Sequence, residues 1–155
     1  MSIAPIVKTV SVAIPPARAF EAFARNMGRW WAAGKTIGAE PHVDIVIEPR
    51  EGGRWYEVDA KGAETDWGKV LAWEPPGRLL LAWQLDASFR YDPNFETELE
   101  LSFVPEGSGT RVTLEHRNME RFGPSAAKVA EQLGGGWPGI VDRFVQFCEE
   151  KETTE

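Results

Sequence analysis

The chain has 155 residues, a net charge of −7, and 43% hydrophobic against 26% charged residues, the size and mix of one globular domain (residues 1–155) with its own core. The acidic balance and the lack of any Lys/Arg cluster argue against nucleic acid and against an anionic membrane surface, since both need cationic side chains. No apolar run approaches the roughly 20 residues of a membrane span, Met1-Ser2-Ile3-Ala4-Pro5 has no leader character, and Cys148 is the only cysteine, so a cytoplasmic protein without an internal disulfide is expected.

Residues 6–14 alternate, with Val10, Val12 and Ile14 on one face, and this predicts a strand. Pro15-Pro16 ends it, and proline suits the first turn of a helix. Ala19, Phe20, Phe23, Ala24 and Met27 then form a helical stripe, which Gly28 breaks before Trp30-Trp31. From residue 43 to 119 the pattern predicts strands at 43–48, 54–60, 66–74, 78–85, 95–104 and 110–119. Turn signals separate them at Arg50-Glu51-Gly52-Gly53, Lys61-Gly62, Pro75-Pro76-Gly77 and Glu106-Gly107-Ser108-Gly109. Short connections make consecutive strands antiparallel neighbours.

The last hairpin carries the clearest register. Phe95, Thr97, Leu99, Leu101 and Phe103 share one face, and Glu96, Glu98, Glu100 and Ser102 the other. Val112, Leu114, His116 and Asn118 face inward on the next strand. A turn centred on Gly107-Ser108 pairs Phe103 with Val112, Leu101 with Leu114 and Leu99 with His116, and sets Glu98 opposite Arg117. A slip by one residue would bury glutamates, so the register is guarded. The outward carboxylates read as a solvated face.

After Phe122-Gly123-Pro124, residues 125–133 predict a short helix stopped by Gly134-Gly135-Gly136. Pro138 opens a final helix to about Lys151, whose apolar face includes Phe144 and Cys148. Only helices can cover the apolar face of such a sheet. What a helix leaves unfilled is packed aromatics or a cavity, and seven Trp and eight Phe are available to wall it.

Two histidines, His42 and His116, and one cysteine give no metal-ligand spacing. Gly134-Gly135-Gly136 lacks the Lys-Ser/Thr of a phosphate loop, and no nucleophile elbow is present. No cofactor is expected. His116, inward on its strand, is the one sharp candidate, able to bond a ligand or act as an acid or base, or else to bond a neighbour at the core edge. Residues 86–95 form the longest connection between strands, either a lid or a self-packed loop.

Four stretches taken in order resemble a known family. They are Ile14 to Phe23 with Trp30-Trp31 behind it; Pro49-Arg50-Glu51-Gly52-Gly53-Arg54-Trp55; Gly68-Lys69-Val70-Leu71 running through Glu74-Pro75-Pro76 and Arg78-Leu79 to Trp83; and Gly136-Trp137. The pattern is similar to the START-like (SRPBCC, helix-grip) superfamily, and within it to bacterial proteins like the activator of Hsp90 ATPase. That resemblance implies an α+β fold with a curved antiparallel sheet of about six to seven strands around a C-terminal helix, and two short helices after the first strand. It also implies a pocket between sheet and helix, used across the superfamily for lipids, steroids and polyketides. It supplies no catalytic residues. The eukaryotic co-chaperone carries a further N-terminal domain, so an Hsp90-type chaperone is not the expected partner.

The expected function is therefore binding of a small hydrophobic or aromatic molecule, with Trp31, Leu81, Trp83, Leu99, His116 and Phe144 as candidate ligand-binding residues. Two alternatives stay open: a cyclase- or hydrolase-type enzyme using the same pocket, and a chaperone-related interaction module. A homodimer is equally open. The inward parity of strand 78–85 rests on placing Leu81 and Trp83, rather than Leu80 and Ala82, on the inner face.

Overall fold

A computed structural model describes residues 3–31, 36–38 and 40–153. Seven strands form one antiparallel sheet: β1 (Ile6–Val12), β2 (His42–Ile47), β3 (Arg54–Asp59), β4 (Glu64–Glu74), β5 (Arg78–Trp83), β6 (Thr97–Glu106) and β7 (Gly109–Arg117). Their order is β1-β7-β6-β5-β4-β3-β2. From β2 to β7 every neighbour in sequence is a neighbour in space, as short turns require. Only β1 departs, pairing with β7 from Ile6↔His116 to Val12↔Thr110. Two helices, α1 (Pro16–Arg25) and α2 (Met27–Trp30), carry the chain from one sheet edge to the other. The sheet curls into a half-barrel, and the long helix α3 (Ala126–Thr153) lies in its mouth. This is the helix-grip architecture.

The last hairpin has the expected register: Phe103↔Val112, Leu101↔Leu114, Leu99↔His116 and Glu98↔Arg117. Gly107 takes φ 61°, the left-handed first position of a two-residue hairpin loop. On β5, Leu79, Leu81 and Trp83 face inward, with Leu81 opposite Leu99. Leu80 pairs with Glu100 on the outer face. The outer carboxylates are not simply solvated. Arg117 holds Glu98 at 2.8 Å and Glu100 at 2.6 Å, and Glu100 also binds Arg78.

Several boundaries differ from the sequence reading. Thr97, not Phe95, opens β6, and Phe95 packs on Phe122 with ring centroids 5.1 Å apart. Asn118 leaves the last strand with φ 70° and starts a 3₁₀ segment, Met119–Ser125. α1 ends at Arg25, and Gly28 lies inside α2 rather than ending a helix. A Cβ at Gly28 would stand 2.5 Å from the Ile45 nitrogen, so the glycine permits α2 to rest on β2.

The largest correction concerns the C-terminal region. The triple glycine does not stop a helix. α3 is one helix of 28 residues that runs through Gly134-Gly135-Gly136 and Pro138. Local propensity argues for a break there. The apolar stripe of the whole helix, from Val129 and Leu133 through Trp137 and Ile140 to Phe144 and Cys148, is buried against the sheet and the other helices. That tertiary burial overrides the local preference.

Candidate functional site: a ring of five tryptophans

The half-barrel interior is walled by indoles. Trp55 stands on the inner face of β3, Trp67 on β4, Trp83 on β5, Trp31 just beyond α2 and Trp137 on α3. Their ring centroids form a closed circuit. Trp31–Trp67 is 5.0 Å, Trp67–Trp55 5.4 Å, Trp55–Trp83 5.9 Å, Trp83–Trp137 5.7 Å and Trp137–Trp31 6.0 Å. All fall within the range of favourable tilted and edge-to-face aromatic pairs.

Gly68 explains one link of the circuit. It lies between Trp55 and Trp83 on the same rung across β3, β4 and β5. With no side chain between them, the two indoles meet. A Cβ there would stand 1.8 Å from the Ala82 carbonyl oxygen and 3.4 Å from the Trp55 ring.

Four of these indoles, Trp31, Trp67, Trp83 and Trp137, line a cavity of about 480 Å³. Leu133 and Ile140 close it from α3, Leu85 and Phe89 from the loop after β5, and Thr36 and Ile37 from the segment before β2. The volume is in the range of small-molecule sites. A second hollow of about 620 Å³ lies between α1 and Trp73, Pro75 and Pro76, with the charged Arg18, Glu21 and Arg25 among its lining. It has no comparable aromatic wall, so the inner cavity is the better ligand site.

Behind the wall runs a buried polar relay. The Trp137 indole N–H donates to His116 Nδ1 at 3.2 Å. An indole nitrogen can only donate, so Nδ1 must be bare and the neutral ring carries its proton on Nε2. Nε2 lies 2.9 Å from Thr97 Oγ1, which lies 3.4 Å from the Trp83 carbonyl oxygen. In that tautomer His116 donates to Thr97 and Thr97 to Trp83. The histidine is fully buried, and burial pushes its pKa down to about 3. It stays neutral at physiological pH and joins two indoles of the wall.

A second polar group sits on the inner face of β3. Glu57 is 1% exposed. Its Oε1 accepts from the Trp67 indole N–H and from the Ile37 backbone N–H, both at 2.8 Å. Its Oε2, like the indole nitrogens of Trp55 and Trp83, is buried with no hydrogen-bond partner among the described residues.

The expected site residues divide into groups. Trp31 and Trp83 line the cavity. Leu81 and Leu99 pair with each other in the sheet interior, fully buried. His116 lies directly behind Trp83, ring centroids 4.9 Å apart. Phe144 packs on Phe23 and Trp30, away from the cavity. Sequence reasoning left out Trp67, Trp137 and Glu57. A usable signal existed for Glu57: it alternates with Trp55 and so had to share its face. The loop 86–95 is held by its own bonds: Asp86 Oδ1 accepts from the backbone N–H of Ser88 and of Arg90. It also presents Phe89, with φ 58°, to the cavity.

Residues 13–149 match the family described as Activator of Hsp90 ATPase homolog 1-like protein. The chain belongs to this family. Among solved structures it is 35% identical to Txn09, described as an anthrahydroquino-gamma-pyrone synthase complexed with SUM, over 94% of this chain and 97% of that one, with a TM-score of 0.67. It is 28% identical to CalC of Micromonospora echinospora, described as a self-sacrificing resistance protein, over 96% of both chains, with a TM-score of 0.69. MLL2253 of Mesorhizobium loti, at 20% identity and a TM-score of 0.70 over 94% of this chain and 97% of that one, supports the fold. No curated protein matches the chain. Among the described residues no helix of this family member is long and apolar enough to cross a membrane, and no cluster of His, Cys, Asp or Glu could hold a metal ion.

Proposed function

We propose that the protein binds a flat, polycyclic aromatic molecule in the tryptophan-walled cavity, in the cytoplasm. The observation that carries this reading is the closed circuit of five indoles, four of which face one space of about 480 Å³. Indole faces bury large area with little loss of rotamer freedom, and they favour stacking partners. The likeness to a protein described as an anthrahydroquino-gamma-pyrone synthase points in the same chemical direction. That likeness also favours a second reading, an enzyme acting on such a molecule. In either reading Trp31 and Trp83 contact the ligand, and His116 positions the wall through Trp137.

Titration with anthraquinone should quench the tryptophan emission saturably, with one-to-one stoichiometry by calorimetry. Leu133→Trp, which fills the cavity from α3, should abolish the calorimetric signal. Quenching that rises linearly with ligand, with no saturable heat, would overturn the reading. Turnover of the bound molecule into a product of different mass would select the enzyme.

A further inference from the structure

The loop between β5 and β6 holds one residue in a conformation that its side-chain type rarely adopts. Phe89 has φ 58°, in the left-handed region where a turn ordinarily places glycine or asparagine and where a bulky side chain is strained. Such strain persists only where the surroundings over-determine it, and it gathers at functional sites. The surroundings of Phe89 do over-determine it. Leu85 bridges to Tyr91. The Asp86 N–H donates to the Arg90 carbonyl and the Phe89 N–H to the Asp86 carbonyl, both at 2.9 Å. Asp86 Oδ1 accepts from the backbone N–H of Ser88 and of Arg90. The outcome of this braced arch is the aim of one ring: Phe89 lines the inner cavity.

The ring gains little from the protein itself. It is half-buried at the edge of the core, whereas Leu85 in the same loop is 3% exposed. Each of the four indoles lining the cavity has ring partners within 6.0 Å, but Phe89 stacks on no ring among the described residues. An unpaired aromatic face that borders an apolar space is complementary to another flat ring.

We propose that Phe89 is a specificity-determining residue of the cavity, its ring packing on the aromatic ligand from the β5–β6 loop while the indoles hold the ligand from the sheet and α3. This rests on the reading of the cavity as an aromatic site and narrows the ligand to ring systems extended enough to touch both the indoles and the loop. The strained backbone is then kept for the ligand rather than for the fold. Replacing Phe89 should therefore weaken binding without weakening the unliganded protein.

The test uses calorimetry with anthraquinone, and thermal melts without it, on the wild type, Phe89→Leu and Phe89→Gly. Phe89→Leu keeps apolar bulk and the same backbone conformation but removes the ring, so binding should weaken roughly two- to tenfold, the range for one aromatic pair. Phe89→Gly removes the ring and relieves the strain, since glycine adopts φ 58° freely. It should bind roughly tenfold more weakly or worse, because the buried contact area goes with the ring, and it should melt no lower than the wild type. A clearly lower melting temperature in Phe89→Gly, or failure to fold, would show that the ring serves the core and would overturn the proposal. Wild-type affinity in either variant would show that the ring is not read, overturning the role of Phe89 while leaving the aromatic site standing. Absence of saturable binding to the wild type would overturn both.

Discussion

His116 is a buried histidine whose value lies in staying neutral. Its Nδ1 must be bare to accept from Trp137, so protonation there breaks the bond and puts a charge in an apolar interior. The folded pKa is about 3, against 6.5 in an ordinary environment. As pH falls below 6.5 the unfolded chain takes up a proton that the folded chain refuses, so stability is complete above that value and drains away toward pH 3. The whole shift corresponds to about 5 kcal/mol, of which about 3 kcal/mol is lost by pH 4. His116→Gln offers an acceptor and a donor but does not titrate. Urea melts should find the variant equal to or weaker than the wild type at pH 7, and the gap should close or reverse at pH 4. Parallel losses in both proteins would show that His116 is not the group responsible. Of this site, the inward face of His116 was legible from strand alternation. Its partners were not: Thr97 stands on the neighbouring strand, and Trp137 on a distant helix.

At the scale of elements, two glycines make opposite predictions. Gly134 lies within α3, and a Cβ there meets nothing within 4 Å. Its backbone is helical without a positive φ, so alanine fits and removes freedom from the unfolded chain. Gly134→Ala should stabilise the protein by about 0.5–1 kcal/mol. Gly68 lies within β4, where a Cβ would collide with the Ala82 carbonyl oxygen. Backbone cannot yield as a side-chain tip does, so Gly68→Ala should cost about 3 kcal/mol or more. It should also part Trp55 from Trp83, visible as a change in near-ultraviolet circular dichroism. Gly134 reads as a helix stop in the sequence and Gly68 lies inside a predicted strand, and in the structure neither breaks its element. A glycine's meaning depends on what surrounds the missing side chain. By contrast the Leu101–Leu114 rung and the Gly107 turn follow from alternation and from a two-residue loop, which are short-range facts.

At the scale of the molecule, the tryptophan circuit ties together β3, β4, β5, α3 and the turn after α2. A set of contacts spread over so many elements cannot be lost piecemeal. Thermal unfolding followed by tryptophan emission should coincide with unfolding followed by far-ultraviolet circular dichroism, as for one cooperative domain. An earlier fluorescence transition would mean that the cavity wall loosens before the sheet. The inward parity of Leu81 and Trp83 was decided by the structure, while the sequence by itself determined the strands, the register of the last hairpin and the need for helices over one apolar face. These follow from period-two and period-3.6 patterns and from turn residues, all local in the chain. Only the tertiary structure decided that α3 runs unbroken through three glycines, that Trp67 and Trp137 complete the wall with Trp31 and Trp83, that His116 faces Trp137, and that Glu57 Oε2, beside Gly38, has no hydrogen-bond partner among the described residues. Each of these is settled by burial and by contacts between residues far apart in sequence, where local propensity carries no information.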